Sequence, residues 1–210
     1  YTHLQFERFS AMLAQMAAHG LKPEIRHHAN SAASMLYPEY ALDMIRPGIA
    51  TYGLNPSDEL GGILDLQPVM SLRTTIAQIR TIAAGTDISY GRTYRTPSAR
   101  RIAVLTIGYA DGLPRRLSGQ LEFLLHGRRI PVVGRVCMDM CMADVTDVPD
   151  AAVGDTVTVF GHDGDDFIPV TALSDPLGTI SYEIICGISK RVPRLYLRGE
   201  ETVETLQYIV

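Results

Sequence analysis

Apolar side chains at Leu4, Phe6, Phe9, Met12, Leu13 and Met16 recur at helical spacing, and Gly20 follows as a stop. Glu24–Ala29 then reads as a short strand. Asn30 and Ser31 are good N-cap types for a short helix over Ser31–Leu36, which Pro38 ends. Met44–Tyr52 reads as the next strand, closed by Gly53 and Pro56. Strand, helix, strand is the grammar of a parallel α/β layer. The stretch is too short to close a (β/α)8 barrel by itself, since eight such units take roughly 250 residues.

The pattern changes after Gly61-Gly62. Val69–Ile82 is rich in β-formers and ends at Gly85, and Arg101–Tyr109 alternates until Ala110-Asp111-Gly112. Leu121–Leu125 and Arg129–Val133 flank His126-Gly127-Arg128, a hairpin signal. Val136–Val145, Thr156–Phe160 and Arg191–Leu197 read as further strands, with a helix near Ser181–Ile188. Short strands at this spacing predict a β-barrel or sandwich. The boundary falls near residue 66, giving an α/β segment over 1–66 and a mostly β domain over 67–210. There is no internal repeat and no low-complexity segment.

Composition narrows the partners. The 210 residues are 46% hydrophobic and 20% charged, ordinary for a globular chain, with a formal net charge of -4. That balance argues against nucleic acid or an anionic membrane surface as partner. No apolar run is long enough to span a bilayer, and no charged-then-apolar signal segment opens the chain. Cys137, Cys141 and Cys186 lack zinc-site spacing and sit among apolar residues, so free, buried thiols in a reducing cytoplasm are expected. No metal site is expected. A start at Tyr1, directly into a helical pattern, reads as a fragment or a processed product.

Several positions could carry chemistry. Asn30 and Ser31 stand where a strand hands over to a helix, a place suited both to gripping a phosphate and to simple N-capping, which is the commoner role. His27 and His28 precede them, and isolated strand histidines are usually structural. Arg46 is a lone charge in an apolar strand and needs an acceptor, either a ligand nitrogen or a salt-bridge partner. Tyr90 lies in a turn, Ser89-Tyr90-Gly91-Arg92. To act as a base, a tyrosine needs cationic neighbours, and without them it is a packing or surface residue. Met138 and Asp139 form a sulfur-and-acid cluster that could hold a small polar substrate or could be core. Tyr109 ends a strand in ordinary turn chemistry.

In order along the chain stand HANSAA (28–33), IRPGIATYGL (45–54), ISYGRTY (88–94), IGYADG (107–112), GRVCMDM (134–140) and ISYEIICGISKRVPR (180–194). Each is weak alone, and the ordered set resembles the alanine racemase family. The resemblance implies that residues 1–66 are the last units of a (β/α)8 barrel that binds pyridoxal 5'-phosphate (PLP). Residues 67–210 would be the family's carboxy-terminal β domain. It further implies a cytoplasmic bacterial enzyme that interconverts L- and D-alanine for peptidoglycan supply, working as a homodimer with active sites shared between subunits. By motif, Ser31 would contact the phosphate beside Asn30, with Gly48, Ile49 and Tyr182. Arg46 would hydrogen-bond the pyridine nitrogen. Tyr90 would exchange the Cα proton at the partner's cofactor. Met138 and Asp139 would line the substrate carboxylate site and Tyr109 its entrance.

One departure is large. The family's cofactor lysine belongs to an early barrel segment with no counterpart here. The two lysines, Lys22 and Lys190, lie in no matching motif. Two-base racemisation needs an acid/base on each face of Cα. The 210 residues are therefore expected to be inactive alone. Two alternatives are a serine racemase of the same family and a non-catalytic β module serving dimerisation.

Overall fold

The spacing of Phe6, Phe9, Leu13 and Met16 puts these four on one stripe of a helix, and in the computed structural model all four are half-buried. Helix α1 spans Thr2–Ala18. The structure describes residues 1–60 and 65–208, so Gly61 and Gly62 lie outside the described residues. The chain divides into two compact units, Tyr1–Met70 and Ser71–Val210.

In the first unit, strand β1 (His27–Asn30) leads into helix α2 (Ser31–Leu36) and returns as strand β2 (Met44–Arg46). The two strands are parallel, with His27 opposite Met44 and Asn30 opposite Arg46. Asn30 starts α2 by accepting the Ala33 amide at 3.0 Å on its side-chain oxygen. An aromatic cluster holds α1 in place. Phe6 stacks on Tyr40 with ring centroids 3.9 Å apart, and Phe9 packs on His28 at 5.5 Å. The strand expected over Met44–Tyr52 stops at Arg46, because the chain turns at Pro47-Gly48 into a 3-10 turn, Ile49–Tyr52.

The second unit is a β-barrel. Its strands are β3 (Leu72–Ile82), β4 (Asp87–Ile88), β5 (Tyr94–Arg95), β6 (Arg100–Leu105), β7 (Glu122–Leu125), β8 (Arg128–Val133), β9 (Cys141–Asp144), β10 (Thr156–Asp163), β11 (Asp166–Ile168), β12 (Arg194–Arg198) and β13 (Glu201–Leu206). Among the described residues the main sheet runs β11-β10-β3-β6-β9-β8-β7, and β10 also pairs with β7. That last pairing, Thr158 opposite Leu124, closes the sheet on itself. Burial alternates strictly along Leu72, Arg73, Thr74, Thr75 and Ile76. The alternation fails at Gln78, where the β3–β6 register shifts between Ile76 and Gln78, a bulge that bends the strand. Phe123, Leu124 and Leu125 are all fully buried, so both faces of β7 are covered. The β7–β8 hairpin turns through His126 and Gly127, both at positive φ (51° and 69°), as a two-residue turn of this hand requires.

Further expectations change. Val136–Val145 is not one strand. Only Cys141–Asp144 joins the sheet, because the carbonyls of Cys137 and Met138 are taken by the Tyr109 turn. The second change is at Cys186, which is exposed, whereas Cys141 is buried and Cys137 half-buried; all three are free. Lastly, β13 was not anticipated. It pairs antiparallel with β12 and shows no apolar stripe. Helices α3 (Thr171–Ser174) and α4 (Ser181–Gly187) complete the unit.

Candidate active site

Three turns of the second unit meet at one cavity, and glycines set the spacing between them. Gly134 has φ +72°, and a Cβ there would lie 2.8 Å from the Cβ of Ser89 and 3.0 Å from the Ile88 oxygen. Its lack of a side chain lets the Ser89–Arg92 turn close on residues 134–137. Ser89 then donates its hydroxyl to the Arg135 carbonyl at 2.8 Å. Gly108 does the same on the other side. The amides of Tyr109 and Ala110 donate to the carbonyls of Cys137 and Met138 at 2.9 and 3.0 Å.

The resulting cavity is about 690 Å³ and is lined by Ser89, Tyr90, Tyr109, Arg115, Val136, Cys137, Met138, Asp139, Met140 and Met142. Four residues expected from sequence, Tyr90, Tyr109, Met138 and Asp139, thus share one cavity though they come from three separate segments. Tyr90 is 72% exposed at its mouth. Ser89, next to it, has φ 66° and ψ -179°, a backbone region nearly confined to glycine. A strained serine that aims a free tyrosine into a cavity points to function more than to packing.

The electrostatics are mixed. Arg115 and Asp139 both line the cavity, and Asp139 accepts from the Arg191 guanidinium at 2.5 Å. Burial sets Cys141 apart from the half-buried Cys137, pushing its thiol up to about 12. Tyr182 stands half-buried on α4, where desolvation raises its phenol above the ordinary value. It is not one of the residues lining the cavity.

Asn30, Ser31, Arg46, Gly48 and Ile49 belong to the first unit and converge separately. Ser31 is buried at the first turn of α2, and its Oγ accepts the Ala50 amide at a long 3.4 Å. A Cβ on Gly48 would stand 3.9 Å from that Oγ, in ordinary van der Waals contact. Among the described residues no acceptor faces the amides of Gly48 and Ile49. Arg46 pairs with the Nδ1 of His27 at 2.7 Å. That contact is to a histidine ring and is not the salt bridge weighed from sequence. Asn30 serves as the helix cap, the bland role.

Sequence reasoning passed over Ser89, Arg115, Cys137 and Arg191. Ser89, Cys137 and Arg191 sat inside the ordered motifs and Arg115 did not; the bonds of Arg191 to Asp111 and Asp139 come from distant segments, so no local signal shows them. Among the described residues no group of three metal-ligating side chains forms, and no helix is long and apolar enough to cross a membrane.

Comparison with known proteins gives a consistent result. Residues 69–196 match the family model described as alanine racemase, C-terminal domain, and residues 1–56 match alanine racemase, N-terminal domain. An alanine racemase of Desulfovibrio desulfuricans is 50% identical over 193 residues, 92% of this chain and 51% of the relative. One of Symbiobacterium thermophilum is 49% identical, over 96% of this chain and 53% of the relative. The solved alanine racemase of Clostridium difficile 630 in complex with cycloserine superposes with a TM-score of 0.93 at 38% identity, covering 100% of this chain and 55% of that one. The Bacillus anthracis alanine racemase with bound L-Ala-P gives 0.91 at 41% identity, over 97% and 52%. The chain spans about half the length of the relatives it matches.

Proposed function

Since the chain belongs to the alanine racemase family, we propose that it supplies one half of a PLP-dependent alanine racemase site, with Tyr90 as the acid/base on one face of the substrate. The convergence of Tyr90, Tyr109, Met138 and Asp139 on one cavity carries this conclusion.

The first unit's residues fit the cofactor. Ser31 keeps a buried hydroxyl with one long contact, and the Gly48 and Ile49 amides have no acceptor among the described residues. Together they suit a phosphate, which wants several N–H and O–H donors. Arg46, steadied by His27, would donate to the pyridine nitrogen. When bound, PLP supplies the electron sink that makes the Cα proton of an amino acid removable.

This chain's own residues then divide the work. Tyr90 takes a proton from Cα, or returns one, on the face it addresses. Met138 and Asp139 position the substrate carboxylate, and Tyr109 narrows the entrance and limits water. The opposite face needs a second acid/base. Lys22 and Lys190 do not match the family's lysine motif, so that group comes from outside these 210 residues. The 72% exposure of Tyr90 fits a residue that serves the cofactor of a second copy in a homodimer. We place the junction between the cofactor segment and the β domain near residue 66, and the free thiols suit a reducing cytoplasm.

The test is a hybrid in which this chain replaces the matching half of the Desulfovibrio desulfuricans alanine racemase. Loss of optical rotation from L-alanine should appear in the hybrid with PLP, be absent from the 210 residues alone, and fall at least ~100-fold in Tyr90→Phe. Turnover by the 210 residues alone, or full activity in Tyr90→Phe, would overturn the assignment. Equal rates on serine and alanine would remove the preference for alanine.

A further inference from the structure

Arg191 lies one turn beyond α4 and outside the cavity lining, yet it touches both walls of the site. Its Nε donates to Asp111 at 2.6 Å and its NH2 nitrogen to Asp139 at 2.5 Å. Asp111 is buried and closes the Tyr109 turn, where its other oxygen accepts the Gly108 amide at 2.8 Å. Asp139 follows Met138 on the facing turn. The backbone brings Arg191 to this point deliberately. A Cβ on Gly112 would lie 2.5 Å from the Gly187 oxygen, so the end of α4 is pressed against the Tyr109 turn. The Ser189 amide then donates to the Asp111 carbonyl at 3.0 Å.

We propose that Arg191 is a positioning residue of the racemase site. Its guanidinium, shared by Asp111 and Asp139, locks the Tyr109 turn to the Met138–Asp139 turn and offsets the negative charge of Asp139 where a substrate carboxylate sits. The geometry demands a planar, forked donor. A guanidinium can bond two carboxylates at once in fixed directions, whereas an ammonium is a point charge on a flexible stem. The electrostatic need is equally plain. A bare Asp139 carboxylate lining the cavity would repel an amino-acid carboxylate, and a bonded guanidinium at 2.5 Å cancels most of that field. Both aspartates hold the Arg191 proton more firmly than usual, raising its pKa, so the charge persists at every working pH.

The part about substrate charge rests on the racemase assignment, and the clamp itself does not. Two variants and two readouts separate them. In the 210-residue chain, Arg191→Met should speed amide hydrogen exchange at Tyr109 and Ala110 about tenfold while leaving the β7 amide of Phe123 unchanged. In the hybrid racemase, Arg191→Met should raise KM for alanine about tenfold with kcat changed less than about threefold, and Arg191→Lys should recover part of that loss. If Arg191→Met fails to fold, Arg191→Lys decides, with a KM raised about threefold expected. Unchanged exchange at Tyr109 and Ala110 overturns the clamp. Unchanged KM in a folded variant overturns the charge role. If the unsubstituted hybrid shows no turnover, the racemase assignment falls, along with the charge role, and the exchange measurement still decides the clamp.

Discussion

Gly108 and Met138 are as close as two backbones can come: a Cβ on Gly108 would stand 2.3 Å from the Met138 carbonyl oxygen. Even one methyl group would therefore push the Tyr109 turn off the Met138 turn. Gly108→Ala should destabilise the second unit by about 2 kcal/mol, as overpacking of a tight contact does. Urea unfolding followed by tyrosine fluorescence measures it. A variant as stable as the parent would show that the two turns can separate freely.

The first unit carries a pH-sensitive pair. The Arg26 guanidinium, bonded through Nε at 2.6 Å, and then the Arg26 amide hold the Asp43 carboxyl down at about 2. An unfolded chain's carboxyl takes up its proton near ~3.9. The pair therefore stabilises the fold above about pH 4 and ceases to do so as pH falls through about 2. Both side chains are well exposed, so the contribution is modest. Carbon-detected NMR should place the Asp43 midpoint at about 2, and Arg26→Met should raise it part of the way toward ~3.9, because the residue-26 amide still donates. A midpoint already at ~3.9 in the parent would rule the pair out in solution.

Cysteine reactivity should follow burial. Cys186 is exposed, and Cys141 is buried with its thiol pushed up to about 12. At pH 8 iodoacetamide should label Cys186 within minutes and spare Cys141 until the barrel unfolds, since only a thiolate in contact with solvent reacts. Peptide mass mapping over time gives the order. Early label on Cys141 would contradict a closed barrel.

Asn30 caps α2 through the Ala33 amide. Asn30→Ala should cost the first unit about 1 kcal/mol, and Asn30→Asp should keep most of the stability. Thermal unfolding by circular dichroism separates the two. Equal losses in both variants would mean that the asparagine matters for something other than the cap.

What could be read from sequence was mostly local. The stripe from Phe6 to Met16, the stop at Pro38 and the turn at His126-Gly127 each follow from a few neighbouring residues, and the structure shows all three. The stretch from Val136 to Met140 was misread as strand, because its β-forming composition hides two long-range events. One is the approach of Ser89 to Gly134, and the other is the capture of the Cys137 and Met138 carbonyls by the Tyr109 turn. Strand β13, Glu201–Leu206, alternates Glu and Thr around one Val and has no buried face to advertise it; pairing with β12 makes it a strand. The ordered motifs pointed to the residues that meet in the cavity. The bonds from Arg191 to Asp111 and Asp139 span 80 and 52 residues, and no window of sequence contains them.

The closure of the barrel has a consequence during synthesis. Strand β3 leads the second unit, yet Thr75 finds its partner only at Thr156 of β10. A ribosome adds ~5–20 residues per second, so one edge of β3 waits roughly 4–16 s for the strand that covers it. Through that interval β6 can shield one side, while the other leaves a row of N–H and C=O groups bare beside Leu72 and Ile76. A nascent polypeptide is thus most open to joining a neighbour's strand in those seconds, and a chaperone that held the edge between Leu72 and Ile76 would raise the yield of folded protein without touching its final stability.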